Sequence, residues 1–300
     1  QMCIRDSSVA LLLKNNNKNY IMKKVLLILM CCMAIQSVHA QDTPKWADKA
    51  KKAVFSIVTY DKENKIKNTG NGFYIDNNGT ALSDYSLFED AERAVIINAD
   101  GKELPVTRIA GANSMYDVIK FRTETEKKIT ALKVATQPAA VGETVYLLPY
   151  STQKAATCQT GKVTQVDTIA DKAYYYTLTM TTSDKTVSCP IMNANGEVLG
   201  LIQKSASEED KESYAIGASY GESLSISPLS ANDINLNKIG IAKALPETED
   251  QALVYLYMSS SQMDAKNYLA TLNDFLQAYP NSTEGYTRLS LIHISEPTRP

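Results

Sequence analysis

Hydrolytic chemistry near neutral pH needs a nucleophile and a base to take its proton, and histidine is the side chain suited to that base. The chain has two histidines, His39 and His293. His39 closes an apolar leader and His293 sits in the last dozen or so residues, so neither serves a domain built from the middle of the chain. The same count removes any histidine-bearing metal site. Other patterns are weaker. Ser151-Thr152-Gln153-Lys154 has S-x-x-K spacing, but that motif needs its serine at a helix start, and this stretch reads as a polar loop between strands. The run Glu208-Glu209-Asp210-Lys211-Glu212 lacks the alternation of a calcium loop and reads as a solvated charge run. In Tyr174-Tyr175-Tyr176, an alternating strand would put at least one ring into a core. Asn78-Gly79-Thr80 and Asn281-Ser282-Thr283 fit a glycosylation sequon but read first as a turn and a helix stop. No cofactor or metal site is expected.

The elements that must position any such residues lie between two anomalous ends. Gln1–Ser7 and Leu289–Pro300 resemble translated sequencing-adaptor sequence, so residues 1–21 and 289–300 are expected to be foreign and the natural C-terminal continuation missing. Met22 opens a secretory leader over residues 22–40. Lys23 and Lys24 form its basic start, Val25–Ile35 its apolar core, and Val38-His39-Ala40 its cleavage site. The core is too short for a comfortable membrane span, no later segment is apolar enough for one, and Met30 before Cys31 fits a lipobox poorly. The protein is expected to be exported, without an integral membrane segment once the leader is removed. Charge is nearly balanced, 31 basic against 33 acidic residues, with no basic patch for nucleic acid. Of five cysteines, Cys3 lies in the suspect opening and Cys31 and Cys32 leave with the leader. Cys158 and Cys189 remain, and export would let them pair as a disulfide.

From Ala53 to about Ser219 the pattern is short β-branched and aromatic runs between turn residues. Strands are predicted at 53–60, 72–76, 80–83, 94–99, 103–109, 118–122, 132–135, 144–149, 161–167, 174–181, 197–203 and 214–218, with Asn77-Asn78-Gly79 and Asp100-Gly101 as tight turns. Such spacing predicts an all-β sandwich or barrel. After Pro228 the texture turns helical. Ser230 is placed to cap one helix, Glu249–Met258 reads as a second, and Asp264 caps a third with Tyr268, Leu269, Leu272, Phe275, Leu276 and Tyr279 on one face. The predicted units are a β domain over 41–225 and a helical linker and repeat over 226–288.

Three stretches in order resemble the HtrA/Deg branch of the trypsin-like (chymotrypsin-fold) serine proteases. They are Gly70–Asp76 with Gly79–Ser83, Ala110–Asn113 with Tyr116–Phe121, and Cys189–Asn193 with Asn195–Leu201; Val141–Tyr146 and Gly161–Val163 fit the start of a second barrel. The resemblance implies a mainly β, two-barrel trypsin-like fold. It also assigns the triad positions. Ser86 stands where that family has its histidine, Asp117 keeps the aspartate, and Val187 holds the nucleophile position, followed by Ser188 and Cys189 where the family has glycines. Valine has no nucleophilic atom, and serine is no base near neutral pH. Cys189 or Ser188 is the alternative nucleophile; without a histidine to lower its pKa, Cys189 would be sluggish, and a buried thiol or the Cys158 pairing is the preferred reading. Phe275–Ser282 followed by Glu284-Gly285-Tyr286 resembles the junction of two tetratricopeptide (TPR) repeats.

Together these imply a catalytically inactive, exported pseudoprotease of the periplasm or surface of a Gram-negative bacterium. Peptide or protein partners would be held in the cleft between the barrels, at an edge strand, or on the TPR surface. The competing expectation is a serine-type endopeptidase-like hydrolase with an atypical nucleophile.

Overall fold

The computed structural model describes residues 43–125, 129–170, 173–203 and 212–295. The leader, the opening segment and most of the acidic run at 208–212 lie outside them. The first barrel is a closed antiparallel ring in the order β1-β2-β3-β6-β5-β4. Its strands are β1 (Val54–Tyr60), β2 (Ile66–Tyr74), β3 (Thr80–Ser83), β4 (Arg93–Ile97), β5 (Glu103–Asn113) and β6 (Val118–Thr123). Alternation in β1 sends Phe55, Ile57 and Thr59 inward, where they meet Phe73, Leu82, Ile96, Ile109 and Phe121. Burying each large apolar side chain contributes about 1.5–3 kcal/mol, so this ring supplies most of the local stability. The turn from β2 to β3 is set by Asp76, whose Oδ1 accepts from the amides of Asn78 (2.7 Å) and Thr80 (2.9 Å). Gly79 follows at φ +95°, a left-handed conformation open to glycine at no steric cost. The sequon at 78–80 is thus a turn.

The second barrel uses β8 (Thr144–Leu147), β9 (Gln159–Ala170), β10 (Ala173–Leu178), β11 (Pro190–Met192), β12 (Glu197–Ile202) and β13 (Ser213–Gly217). They run β11-β8-β9-β10-β13-β12, and β11 pairs with β12 to close the ring. The short β7 (Lys133–Val134) adds in parallel outside β12. Val145, Leu147, Val163, Tyr176, Leu178, Ile191 and Ile202 fill this core. Of the three consecutive tyrosines Tyr176 is the buried one, while Tyr174 and Tyr175 are half-buried. Each predicted strand has a counterpart, though β2 starts at Ile66 rather than residue 72 and β5 runs on to Asn113 rather than 109; β11 has no predicted counterpart, because Pro190-Ile191-Met192 is too short to show a period. Among the described residues the closed rings leave little free strand edge, and β7 is the outer strand of the second sheet.

The helical part departs more from the sequence reading. Ser227, not Ser230, opens a 3-10 turn over Pro228–Asn232, and Ser230 is its reciprocal capping partner. A separate α3 (Ile234–Asn237) is capped by Asp233; before these, α1 (Ala47–Ala50) precedes β1 and α2 (Ala218–Ser223) follows β13. Proline at the first position of the turn explains the earlier start, since its missing N–H costs nothing there. Helices α4 (Glu249–Ser259), α5 (Ala265–Ala278) and α6 (Thr283–Ser295) follow. Asp264 caps α5 as expected, with Oδ1 accepting from Asn267 N at 2.8 Å. Leu272 and Phe275 are fully buried, with Tyr268, Leu276 and Tyr279 packed on them. α6 runs through residue 289 without a break. Leu289 packs on the α4–α5 cluster, and a nucleated helix propagates at little cost per residue.

The linker is fastened to the first barrel. The Ile109 amide donates to Ala242 O (2.8 Å), and Ala244 N donates back to Ile109 O (2.7 Å). Arg108 of β5 grips Asp274 of α5 with Nε (3.0 Å) and Nη2 (2.6 Å) on one carboxylate oxygen. No helix among the described residues is long and apolar enough to cross a membrane.

Candidate functional site

The residues assigned by resemblance to the triad are partly brought together. Ser86 lies in a 3-10 turn after β3, and Asp117 lies just before β6, in the left-handed region at φ 48°. Ser86 donates twice to that carboxylate, through its amide to Oδ1 (2.6 Å) and its hydroxyl to Oδ2 (2.9 Å). Serine therefore takes up the aspartate's acceptors without supplying a base.

Val187 sits in the turn over residues 184–188 that leads into β11. Its side chain is half-buried and apolar. Its amide donates to Ser183 O (3.2 Å), and the Cys189 amide donates to Thr186 O (3.1 Å). An oxyanion hole needs backbone N–H groups pointing at an incoming oxygen; at Val187 that donor is spent inside the turn. Asn71, missed by sequence reasoning, holds the turn in place. From β2 of the first barrel its Nδ2 reaches Lys185 O (3.1 Å) and Val187 O (2.9 Å), while Ser83 Oγ donates to the Asn71 carbonyl (2.6 Å). The only signal in the chain is a polar residue between Gly70 and Gly72 in a strand that becomes apolar. Gly72 is required by close approach: a Cβ there would stand 2.8 Å from both Leu82 O and the Phe55 ring.

Ser188 and Cys189 are both fully buried. Ser188 has φ 63°, so the backbone keeps a conformation natural to glycine although a side chain is present. Asp84, also missed, is buried beside it. Its carboxyl is held well above the usual range by burial first and the charge of Asp117 second, with the nearby Ser188 hydroxyl offsetting part of this. Yet Asp84 Oδ1 and Ser188 Oγ both lack a partner in hydrogen-bonding geometry. Burial also pushes the Cys189 thiol up to about 12, a backbone hydrogen bond with Tyr150 eases it back, and Asp84 raises it further. A thiol so placed carries almost no thiolate at neutral pH.

Cys158 and Cys189 are both free thiols, so the weighed disulfide is not formed. Cys189 belongs to the core of the second barrel, whereas Cys158 packs on the cluster built around the first. Burial and the charge of Asp48 push Cys158 up to about 11. Ser151 and Lys154 lie in an irregular loop, where Ser151 Oγ accepts from the Gln153 amide (3.1 Å) and no helix presents the serine.

Residues 70–201 match the trypsin-like peptidase domain. The match runs from β2 of the first barrel into β12 of the second, and the two closed rings agree with a trypsin-like fold for this region. No curated protein matches the chain. Within the trypsin-like domain the wall beside Asp117 is aromatic. Tyr116 and Tyr220 meet edge to face at 5.3 Å, and Tyr175 stacks near Tyr214 at 6.1 Å. Gln203 joins the two pairs, its Oε1 accepting from Tyr175 OH (2.7 Å) and its Nε2 donating to Tyr116 O (2.7 Å). All five side chains are partly exposed. Such an arrangement can bind apolar or aromatic groups; it offers no proton acceptor for a nucleophile.

Proposed function

We propose that the trypsin-like domain is a catalytically inactive binding module, an exported pseudoprotease resembling the HtrA/Deg branch, that holds peptide or protein segments. The observation that carries this reading is the Ser86 hydroxyl bonded to Asp117, where the resemblance places a histidine base, together with an apolar residue, Val187, where it places the nucleophile. The tyrosine wall beside Asp117 supports a contact surface made by side chains rather than by a strand edge, since rigid aromatic groups supply large contact area at low entropic cost. Helices α4 to α6 are read as a TPR-like unit, which would extend the partner surface. Export to the periplasm or surface of a Gram-negative bacterium rests on the leader at 22–40.

The competing reading, a hydrolase using Cys189 or Ser188, finds both atoms buried and the thiol strongly protonated. The test treats the native full chain with a fluorophosphonate and an iodoacetamide probe beside casein turnover, and screens it against a random peptide library. The expected result is no turnover, thiol labelling of Cys189 only on denaturation, and peptides whose binding is lost in Tyr116→Ala. Rapid native labelling at Ser188 or Cys189 with turnover would overturn the proposal, as would a library that yields no binder.

A further inference from the structure

A cavity of about 260 Å³ opens between the linker segment at 239–243 and the ends of α4 and α5. Ile239, Ile241 and Met263 give it apolar wall, and Lys243, Ser259 and Gln262 give it polar groups. The backbone on either side of Lys243 is pinned to Ile109, so its side chain folds back over its own segment. There Nζ donates to the carbonyls of Ile239 and Ile241, the latter at 2.9 Å. An ammonium has three N–H groups, which leaves one uncommitted.

Two carboxylates that line the cavity are already engaged. Asp274 is taken by Arg108 at 2.6 Å, and Asp264 accepts from the amide (2.8 Å) and side chain (2.7 Å) of Asn267. Burial draws the Lys243 ammonium down to about 8, with the charge of Glu92 acting through space in the other direction. Desolvating a cation is costly, and a bound anion would relieve that cost. Ser259 adds a second open group. Its Oγ is fully buried, lies beside the Tyr255 hydroxyl, and completes no hydrogen bond. Gln262 is exposed and places an amide at the mouth.

We propose that this cavity binds a small organic carboxylate, received by the Lys243 ammonium and the Ser259 hydroxyl, with the Gln262 amide closing over it. One uncommitted cationic donor matches a single negative charge. A dianion would bring a second charge close to Asp264 and Asp274. The volume falls below the ~300–1,000 Å³ of drug-sized sites, which suits an acid of few atoms.

The test labels the lysines of the full chain with ¹³C at Cε and titrates acetate against chloride at matched ionic strength. One lysine resonance, with a midpoint near pH 8 and absent from Lys243→Met, is expected to shift saturably and to move its midpoint upward with acetate. Ser259→Ala should weaken acetate binding by about tenfold, the typical worth of one hydrogen bond to a charged group. If Lys243→Met does not fold, the midpoint and the Ser259→Ala comparison carry the test. A shift that grows linearly, matches chloride, or is unchanged in Ser259→Ala overturns the proposal, as does phosphate binding more tightly than acetate.

Discussion

The side-chain amide of Asn71 donates to the carbonyl of Val187 across 2.9 Å, tying a strand of the first barrel to the turn that opens β11 in the second. The contact joins residues 116 positions apart and holds in place the turn that carries Val187, the residue that the resemblance assigns to the nucleophile position.

Asn71→Ala removes two hydrogen bonds from a buried amide and leaves two carbonyls to find water. A loss of about 1–3 kcal/mol is expected, read from the urea midpoint at unchanged slope. The Val187 amide should also exchange faster with deuterium. An unchanged midpoint would mean that the turn is held by its own hydrogen bonds alone.

Asp84 makes stability depend on pH in a stated direction. Its folded pKa lies well above the unfolded value, so the folded state binds more protons and stability falls as pH rises. The loss begins near the unfolded aspartate pKa of about 3.9 and continues up to the raised folded pKa. Asp84→Asn keeps the shape and removes the charge, so it should raise the melting temperature at pH 7 and flatten its fall above pH 4. A variant that melts lower than the parent at pH 7 would show that the ionised carboxylate is stabilising.

Val187→Ser alone should restore neither casein turnover nor fluorophosphonate labelling. The new hydroxyl would face no imidazole, and the Val187 amide is committed to Ser183 O at 3.2 Å. Labelling of that variant within minutes would mean that a base exists in the site.

The two thiols should separate in a reaction with Ellman's reagent. Cys158, half-exposed with its pKa raised to about 11, is expected to react slowly in the native protein. Cys189, fully buried and raised to about 12, should react only on unfolding. Loss of both thiols together at the rate of global unfolding would contradict the different burial of the two sites.

Arg108 and Asp274 are each about one-third exposed, so their ion pair is worth less than its short distances suggest. A double-mutant cycle with Arg108→Ala and Asp274→Ala should return a coupling of about 0.5–1 kcal/mol, falling with added salt. A coupling of zero would mean that the helices are held to the barrel by the Ile109–Ala242 pairing and apolar contact alone.

Much of this molecule was legible before folding. Alternation of β-branched and aromatic residues located the strands, because a strand facing a core on one side writes a period of two into the chain. The absence of any histidine between His39 and His293 needed only a count, since no fold can supply an absent side chain. The capping of α5 by Asp264 was equally readable, as its partner is three residues away. Long-range relations were not. Asn71 carries no local mark of its hold on Val187; nothing in Ser83-Asp84-Tyr85-Ser86 says which carboxyl is buried or that Ser188 lies against it. Whether Cys158 and Cys189 meet, whether β11 closes the second ring, and whether Lys243 is left with a spare donor depend on surfaces brought together from distant parts of the chain. Local periodicity decides which face of an element is apolar, while the packing of those faces decides which polar groups are stranded between them.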